Sequence, residues 1–294
     1  MRTIPLCILT YGVSGAGKTT DNGYSFPNAL YIAARGALLP LNHVCGYEPT
    51  QMDINYLDDV TKLLLKLEKE GMKFDAVVCD DFSYLAERTF ERIAKKHINN
   101  RNKFAKFDEM NAIALEFRYT ARNLSTHVVL NCWEREPKLE HGKKGGPALT
   151  GRLVEAIPAL CDIVYRTGFE PLRKPWTGIY KCDQDQGSPY IMKDRTKVGT
   201  TLGVIPMNLG EILRAAGYTI SRLKGLEWQE EVVEKVAQQM LQNGGSQDVQ
   251  IANSFYQNLL TQKIDHKIAA WTMRDALDRA VIRRGLAAAQ STFI

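Results

Sequence analysis

Ten residues near the start of the chain, Tyr11-Gly12-Val13-Ser14-Gly15-Ala16-Gly17-Lys18-Thr19-Thr20, constrain its fold more than anything that follows. They come straight after the apolar run Ile4 to Leu9 and read G-x-x-x-x-G-K-T, so a strand is expected to feed a glycine loop that opens a helix near Lys18. Gly12, Gly15 and Gly17 let the backbone wrap closely spaced oxyanions with its N–H groups turned inward. The helix start adds its positive end, and the Lys18 ammonium reaches the β and γ phosphates. The Thr19 hydroxyl suits Mg²⁺. This is the Walker A pattern, and it makes Gly12, Val13, Ser14, Gly15, Ala16, Gly17, Lys18, Thr19 and Thr20 the expected cradle for a nucleoside triphosphate with Mg²⁺.

The rest of the composition is that of an ordinary globular protein. With 294 residues, 45% of them hydrophobic, the chain can bury a large core, and one large domain with an appendage is expected. The net charge of +5 is uneven, because residues 227–294 hold seven Lys or Arg against eight Asp or Glu, which puts any polyanion site in the first part. Six cysteines are scattered without a C-x-x-C pair, which points to reduced, buried thiols. No apolar run approaches the roughly 18 residues that span a bilayer, so a soluble cytoplasmic protein is expected.

Further along lie the other parts of a nucleotide-hydrolysing site. An amphipathic helix with Leu57, Val60, Leu64 and Leu67 ends at Gly71 and is followed by FDAVVCDDFSYL, an apolar strand closing in acids. Asp80 would hold Mg²⁺ from the strand end, and Asp81 would either help orient the attacking water or cap the next helix, as Ser83 could. The strand THVVLNCWE carries Asn131, a candidate sensor of the γ-phosphate or a strand-capping residue. Cys161 to Tyr165 reads as another strand. Gly178 to Cys182 and Pro189 to Met192, separated by DQDQGS, read as a hairpin at the sheet edge. Strands alternating with helices to about Gly217 define a doubly wound α/β core.

The succession GVSGAGKTT, SFPNALYIA, FDAVVCDDFSYL, HVVLNCWERE, PALTGRLVEAIPALCDIVYRT and KDRTK resembles phage-encoded P-loop ATPases of the RecA-like AAA group, which include the Sak-type single-strand annealing recombinases. The resemblance spans residues 3 to about 215 and implies a RecA-like core, ATP hydrolysis, single-stranded DNA binding, self-assembly and work beside other phage recombination or replication proteins. It makes Lys18, Asp81, Asn131, Lys193 and Arg195 the catalytic candidates, the last two reaching a neighbour's γ-phosphate as an arginine finger does. Thr19 and Asp80 become the metal candidates. Residues 134–152 fall where the family places a mobile DNA-contacting loop, so Arg135, Lys138, Lys143, Lys144 and Arg152 are the nucleic-acid candidates, although Glu134, Glu136 and Glu140 dilute their charge. One departure stands out: after the second strand, where the family usually has an acid to activate water, this chain has Arg35 and Gly36. Glu48, Asp81 or Glu134 would have to substitute.

Two weaker features complete the reading. Between Arg88 and Lys106 seven cations interleave with Phe90 and Phe104, with Phe107 just beyond, either a basic surface with bases stacked on rings or a solvated helix face. Residues 227–294 read as three helices broken at Asn243-Gly244-Gly245 and near Ile264, docking on the core of residues 1–226 or on a neighbour. The expectation is therefore an ATP-hydrolysing protein acting on single-stranded DNA in recombination or replication. A nucleotide-dependent switch, loader or scaffold is the alternative, and a small-molecule kinase with Arg166 to Lys174 as its lid a second.

Overall fold

A computed structural model of the chain describes residues 4–34, 36–169, 178–182 and 188–291. The first apolar run forms β1 (Cys7–Tyr11), buried throughout, and leads through the glycine loop into α1 (Lys18–Ser25). The strand starts later than the apolar run does: Ile4 stays exposed, and the Leu6 N–H already donates to His127 Nδ1. Next come β2 (Ala29–Ala33), β3 (Thr50–Met52), α2 (Leu57–Glu70), β4 (Ala76–Asp80), α3 (Phe82–Lys96) and α4 (Ala105–Arg122). Then follow β5 (His127–Cys132), β6 (Glu134–Arg135), β7 (Gly146–Pro147), α5 (Leu153–Leu160) and β8 (Ile163–Phe169). After β9 (Gly178–Lys181) and β10 (Lys193–Asp194) the chain forms α6 (Val198–Leu202), β11 (Val204–Pro206), α7 (Leu209–Ala215), α8 (Trp228–Gln242), α9 (Asp248–Thr261) and α10 (His266–Ser291).

Nine of these strands form one sheet in the order β11-β9-β8-β1-β5-β4-β2-β3, with β10 on β8. The strands from β8 to β3 run parallel, so Tyr11, Ala33, Asp80 and Cys132 all arrive at one edge. Near-continuous apolar runs such as AVVC make such strands, because helices cover both faces. One apolar layer joins the sheet to α1, α7 and part of α10 through Tyr24, Phe26, Ile212 and Trp271, and the other joins it to α2, α3, α4 and α5 through Leu64, Phe82, Phe117 and Ile157. This is a mostly parallel α/β P-loop fold with a helical C-terminus.

The edge differs from the hairpin that the sequence suggests. β9 lies antiparallel between β8 and β11, whereas Pro189 to Met192 form no strand, and Tyr190 makes only an isolated bridge to Gly145. The partner of β9 is the three-residue strand Val204–Pro206, too short to announce itself by alternation. Most of DQDQGS falls outside the described residues.

The C-terminal helices break where the sequence places the breaks, at positive-φ Gly244 and Gly245 and at Lys263. They share a small apolar core of Val236, Met240, Leu259 and Ala276, while the other side of α10 packs into the main core through Trp271 and Ile282. Arg279 and Arg283 of α10 pair with Glu230 and Glu234 of α8, while Arg279–Glu211, Arg222–Asp275 and Arg222–Glu230 tie these helices to the preceding part of the chain.

Candidate functional site

The loop leaves β1 under tight steric control. A side chain on Gly12 would place its first carbon 1.7 Å from Thr167 Oγ1 on β8, so the close approach of the two strands requires glycine there. The chain then turns through Gly17 at φ 92°, which caps α1 without a side-chain hydrogen bond. Among the described residues the backbone N–H groups of Gly15, Gly17, Lys18, Thr19 and Thr20 have no acceptor. Lys18 is buried and its Nζ donates to Gly12 O at 3.0 Å and Val13 O at 3.1 Å. Burial holds its ammonium below the ordinary lysine range, with Asp81 and Asp80 pulling the other way. Converging bare donors around a desolvated cation are what a phosphate chain needs.

Strand ends from distant parts of the sequence close the site. Thr19 Oγ1 donates to Asp80 Oδ2 at 2.5 Å, so the two metal candidates are brought together. Burial raises the Asp80 carboxyl above the usual carboxylate range and the Thr19 hydroxyl opposes the rise. On the adjoining strand Asn131 is fully buried, and its Oδ1 accepts from Thr10 Oγ1 at 2.7 Å and Asn22 Nδ2 at 2.9 Å. Its Nδ2 lies beside Asp80 and favours the charged form of that carboxyl, although no hydrogen bond of standard geometry is made by it among the described residues. No cluster of three His, Cys, Asp or Glu could hold a metal alone among the described residues. Mg²⁺ suits such a place because it takes one or two carboxylates and completes its shell with phosphate oxygens and water.

Asp81 is the N-cap of α3: its Oδ1 accepts from the N–H groups of Ser83 at 2.6 Å and Tyr84 at 3.2 Å. One oxygen of the proposed water-orienting group is thus committed to a helix end. Burial pushes its carboxyl up to about 6. Of the acids that could replace the missing one, Glu48 precedes β3 and so lies toward the far end of the sheet, whereas Glu134 follows β5 directly and acts on Lys18. Its nearly buried Oε1 accepts from Arg166 Nε and Nη2 at 2.9 and 2.7 Å, and the guanidinium stacks 3.7 Å over the Tyr190 ring. Arg166 is therefore a strand residue in an ion pair, and Lys174 of the imagined lid and Arg35 both fall outside the described residues.

Lys193 and Arg195 do not join this group. β10 runs antiparallel to the beginning of β8, which puts both cations at the opposite end of β1 from the loop. Lys193 Nζ donates to the carbonyls of Ala159 and Cys161 at the end of α5, and Arg195 Nη1 pairs with Asp162 Oδ1 at 2.7 Å. The sequence shows two charges and not this antiparallel return.

Residues 134–147 form a hairpin at the place that the resemblance gives to a DNA-contacting loop. β6 pairs with β7, and Lys138 and Lys143 exchange backbone hydrogen bonds of 2.8 and 3.0 Å. Lys138, Lys143, Lys144 and Arg152 are exposed, while half-buried Arg135 donates to Lys144 O. Where the hairpin returns, Phe104, Phe107, Asn111, Thr150 and Arg152 line a cavity of about 330 Å³. Lys106 Nζ sits 5.2 Å over the Phe107 ring and Phe104 is largely exposed; Asp108 is the opposing charge in the lining.

The loop, the strand-end aspartate and their arrangement on a parallel sheet coincide with a family match over residues 4–196 to the AAA domain. The chain belongs to the AAA domain family. It carries an AAA-type P-loop ATPase domain, a family that binds nucleotide with Mg²⁺. Among solved structures, the RadB recombinase is similar to this AAA domain protein with a TM-score of 0.37 at 15% identity, over 60% of this chain and 79% of that one. A KaiC-like protein from the hyperthermophilic archaeon Pyrococcus horikoshii OT3 is similar with a TM-score of 0.37 at 12% identity, over 64% of this chain and 82% of that one. No curated protein matches the AAA domain chain. No helix among the described residues is long and apolar enough to cross a membrane.

Sequence reasoning missed one set of residues at the site. Asp21, one turn into α1, receives Tyr180 Oη at 2.7 Å, the Leu209 N–H at 3.2 Å and Arg274 Nη2 at 2.5 Å. The available signal was RDALDR at 274–279, four charges clustered in a helix that must bury one face.

Proposed function

We propose that the chain binds MgATP on residues 12–20, hydrolyses it, and acts on single-stranded DNA in recombination or replication, as a self-assembling relative of the phage Sak-type recombinases. The observation that carries the nucleotide half is the Thr19–Asp80 contact beneath the unbonded N–H groups of the loop. Lys18 leaves its two loop carbonyls for the β and γ phosphate oxygens. Thr19 and Asp80 hold Mg²⁺, which when bound offsets charge on the transferring phosphoryl group. Asn131 gives its spare N–H to the γ-phosphate or the lytic water, and Glu134 Oε2 accepts the proton of that water while Arg166 fixes Oε1. Charge on the γ-phosphate is met inside the chain by Lys18, since Lys193 and Arg195 have partners of their own.

The nucleic-acid half is supported by the exposed cations of the hairpin and the aromatic cavity at its foot, where phosphates and unstacked bases find complementary groups. One observation favours a second reading, a nucleotide-dependent switch or scaffold with little turnover: Asp81 caps a helix. Steady-state ATP hydrolysis with and without single-stranded DNA, with Lys18→Ala as the blank, separates the two. Stimulation by DNA supports the recombinase reading; tight ATP binding without hydrolysis in either condition selects the switch. Light scattering with and without ATP tests self-assembly.

A further inference from the structure

Three apolar runs in the centre of the sheet, Ile8-Leu9, Val128-Val129-Leu130 and Val77-Val78-Cys79, each close in one polar residue: Thr10, Asn131 and Asp80. The register sets these three side by side. Thr10 of β1 pairs with Asn131 of β5, and Asp80 of β4 comes next to Asn131, one residue beyond the pair Cys79 and Leu130. Asn22 reaches the same row from α1, three residues after Thr19. Thr10, Asn22 and Asn131 are all fully buried, so each needs partners inside the protein.

Asn131 Oδ1 is held twice, by Thr10 Oγ1 at 2.7 Å and by Asn22 Nδ2 at 2.9 Å. A carboxamide carries its acceptor on one arm and its donors on the other, so two donors on Oδ1 leave Nδ2 facing Asp80. Turned over, the amide would bring Oδ1 against the Asp80 carboxylate and Nδ2 against the N–H groups of Asn22. Stability alone does not ask for this arrangement. Asn22 Oδ1, equally buried, has no partner among the described residues, and an acceptor left bare in the interior costs free energy that an apolar side chain would not. Among the described residues the Asn22 side chain bonds Asn131 alone.

We propose that Thr10 and Asn22 are positioning residues that lock the Asn131 carboxamide with its N–H groups turned to the γ end of the nucleotide, so that the site distinguishes a triphosphate from a diphosphate. The inference rests on the nucleotide reading above and adds to it two side chains that touch neither phosphate nor metal. Thr10 sets the amide from within the sheet. Asn22 sets it from the helix that carries Lys18 and Thr19, so the donors of the loop and the donor of the strand keep one spacing. Preorganised donors act at full strength only when their direction is fixed before the ligand arrives.

The test is calorimetric titration of the full chain with MgADP and with the magnesium complex of β,γ-imido-ATP, which keeps the third phosphate and resists hydrolysis. The wild type is expected to favour the imido analogue. Thr10→Val, which keeps the shape and loses the hydroxyl, and Asn22→Ala are each expected to lose on the order of tenfold of that preference, with MgADP affinity unchanged. Thr10→Ser is expected to restore it. In an Asn131→Ala background Thr10→Val should change the preference no further, because the three side chains act as one unit. A preference kept in both Thr10→Val and Asn22→Ala but lost in Asn131→Ala, a further loss in the double variant, or equal losses for both nucleotides would overturn the proposal; the last is what a purely structural role produces. A preference kept in Asn131→Ala defeats the γ-phosphate reading of Asn131 itself. Thermal melting confirms the fold of each variant, and the isosteric Thr10→Val decides the matter if Asn22→Ala does not fold.

Discussion

Thr19 and Asp80 lie 61 residues apart in sequence and meet at 2.5 Å, a hydroxyl from the first turn of α1 against a carboxylate at the end of β4. Asp80→Asn is expected to abolish the gain in ATP affinity that Mg²⁺ brings, while metal-free binding survives through Lys18 and the backbone donors. Titration with Mg²⁺ and with chelator checks this, and a Mg²⁺ gain that persists in the variant excludes Asp80 from the metal site. Thr19→Ala leaves a buried carboxylate without its donor and should destabilise the free protein by about 1–3 kcal/mol.

For Asn131 the expected effect falls on turnover. Asn131→Ala removes a preorganised donor and should lower kcat by roughly 10²–10³ with a small change in KM. It also strands Thr10 Oγ1 and Asn22 Nδ2, so melting should show a modest loss of stability. A kcat unaffected in a folded variant assigns Asn131 to structure alone.

The hairpin makes a claim about salt. Replacing Lys143 and Lys144 together by Ala should weaken single-stranded DNA binding and flatten the plot of log affinity against log salt by roughly 0.7 per lost phosphate contact. A parallel downward shift with no change of slope would locate the phosphate contacts elsewhere.

His127 gives a pH dependence. Burial lowers its imidazole from the ordinary value to about 4, and its Nδ1 accepts the Leu6 N–H, which a protonated ring could not do. The unfolded chain takes up this proton near pH 6.5 and the folded chain only near 4, so the stability from neutral His127 is whole above about 6.5 and drains away as pH falls to 4. The loss is at most about 3 kcal/mol. Denaturant unfolding at pH 7 and pH 4.5 should show it, and His127→Gln should flatten the difference.

What could be read from the sequence follows the range of the physics. Gly12 to Thr20 declare themselves because the glycines, the lysine and the helix start act within one short segment. Asp80 and Asn131 are legible because each closes a buried apolar run. The bond that makes Asp80 a partner of Thr19 requires the sheet order, which no local pattern contains. The same limit hid Arg274, 253 residues from Asp21, and turned Lys193 and Arg195 from neighbour-seeking cations into anchors. Asp81 shows a further ambiguity: an acid between a strand and a helix serves equally as cap and as catalyst, and here the cap interaction is made.

The central place of β1 has a consequence for synthesis. β1 leaves the ribosome before both strands that flank it, β5 and β8, which emerge more than a hundred residues later. Until then the glycine loop has neither Thr167 to wedge against nor Asn131 beside it. Pairing across such separations is slow, and nascent strands waiting for partners are open to misassociation. A growing chain therefore cannot grip nucleotide until most of the sheet has been made, and retention on an ATP resin would mark chains that have completed it.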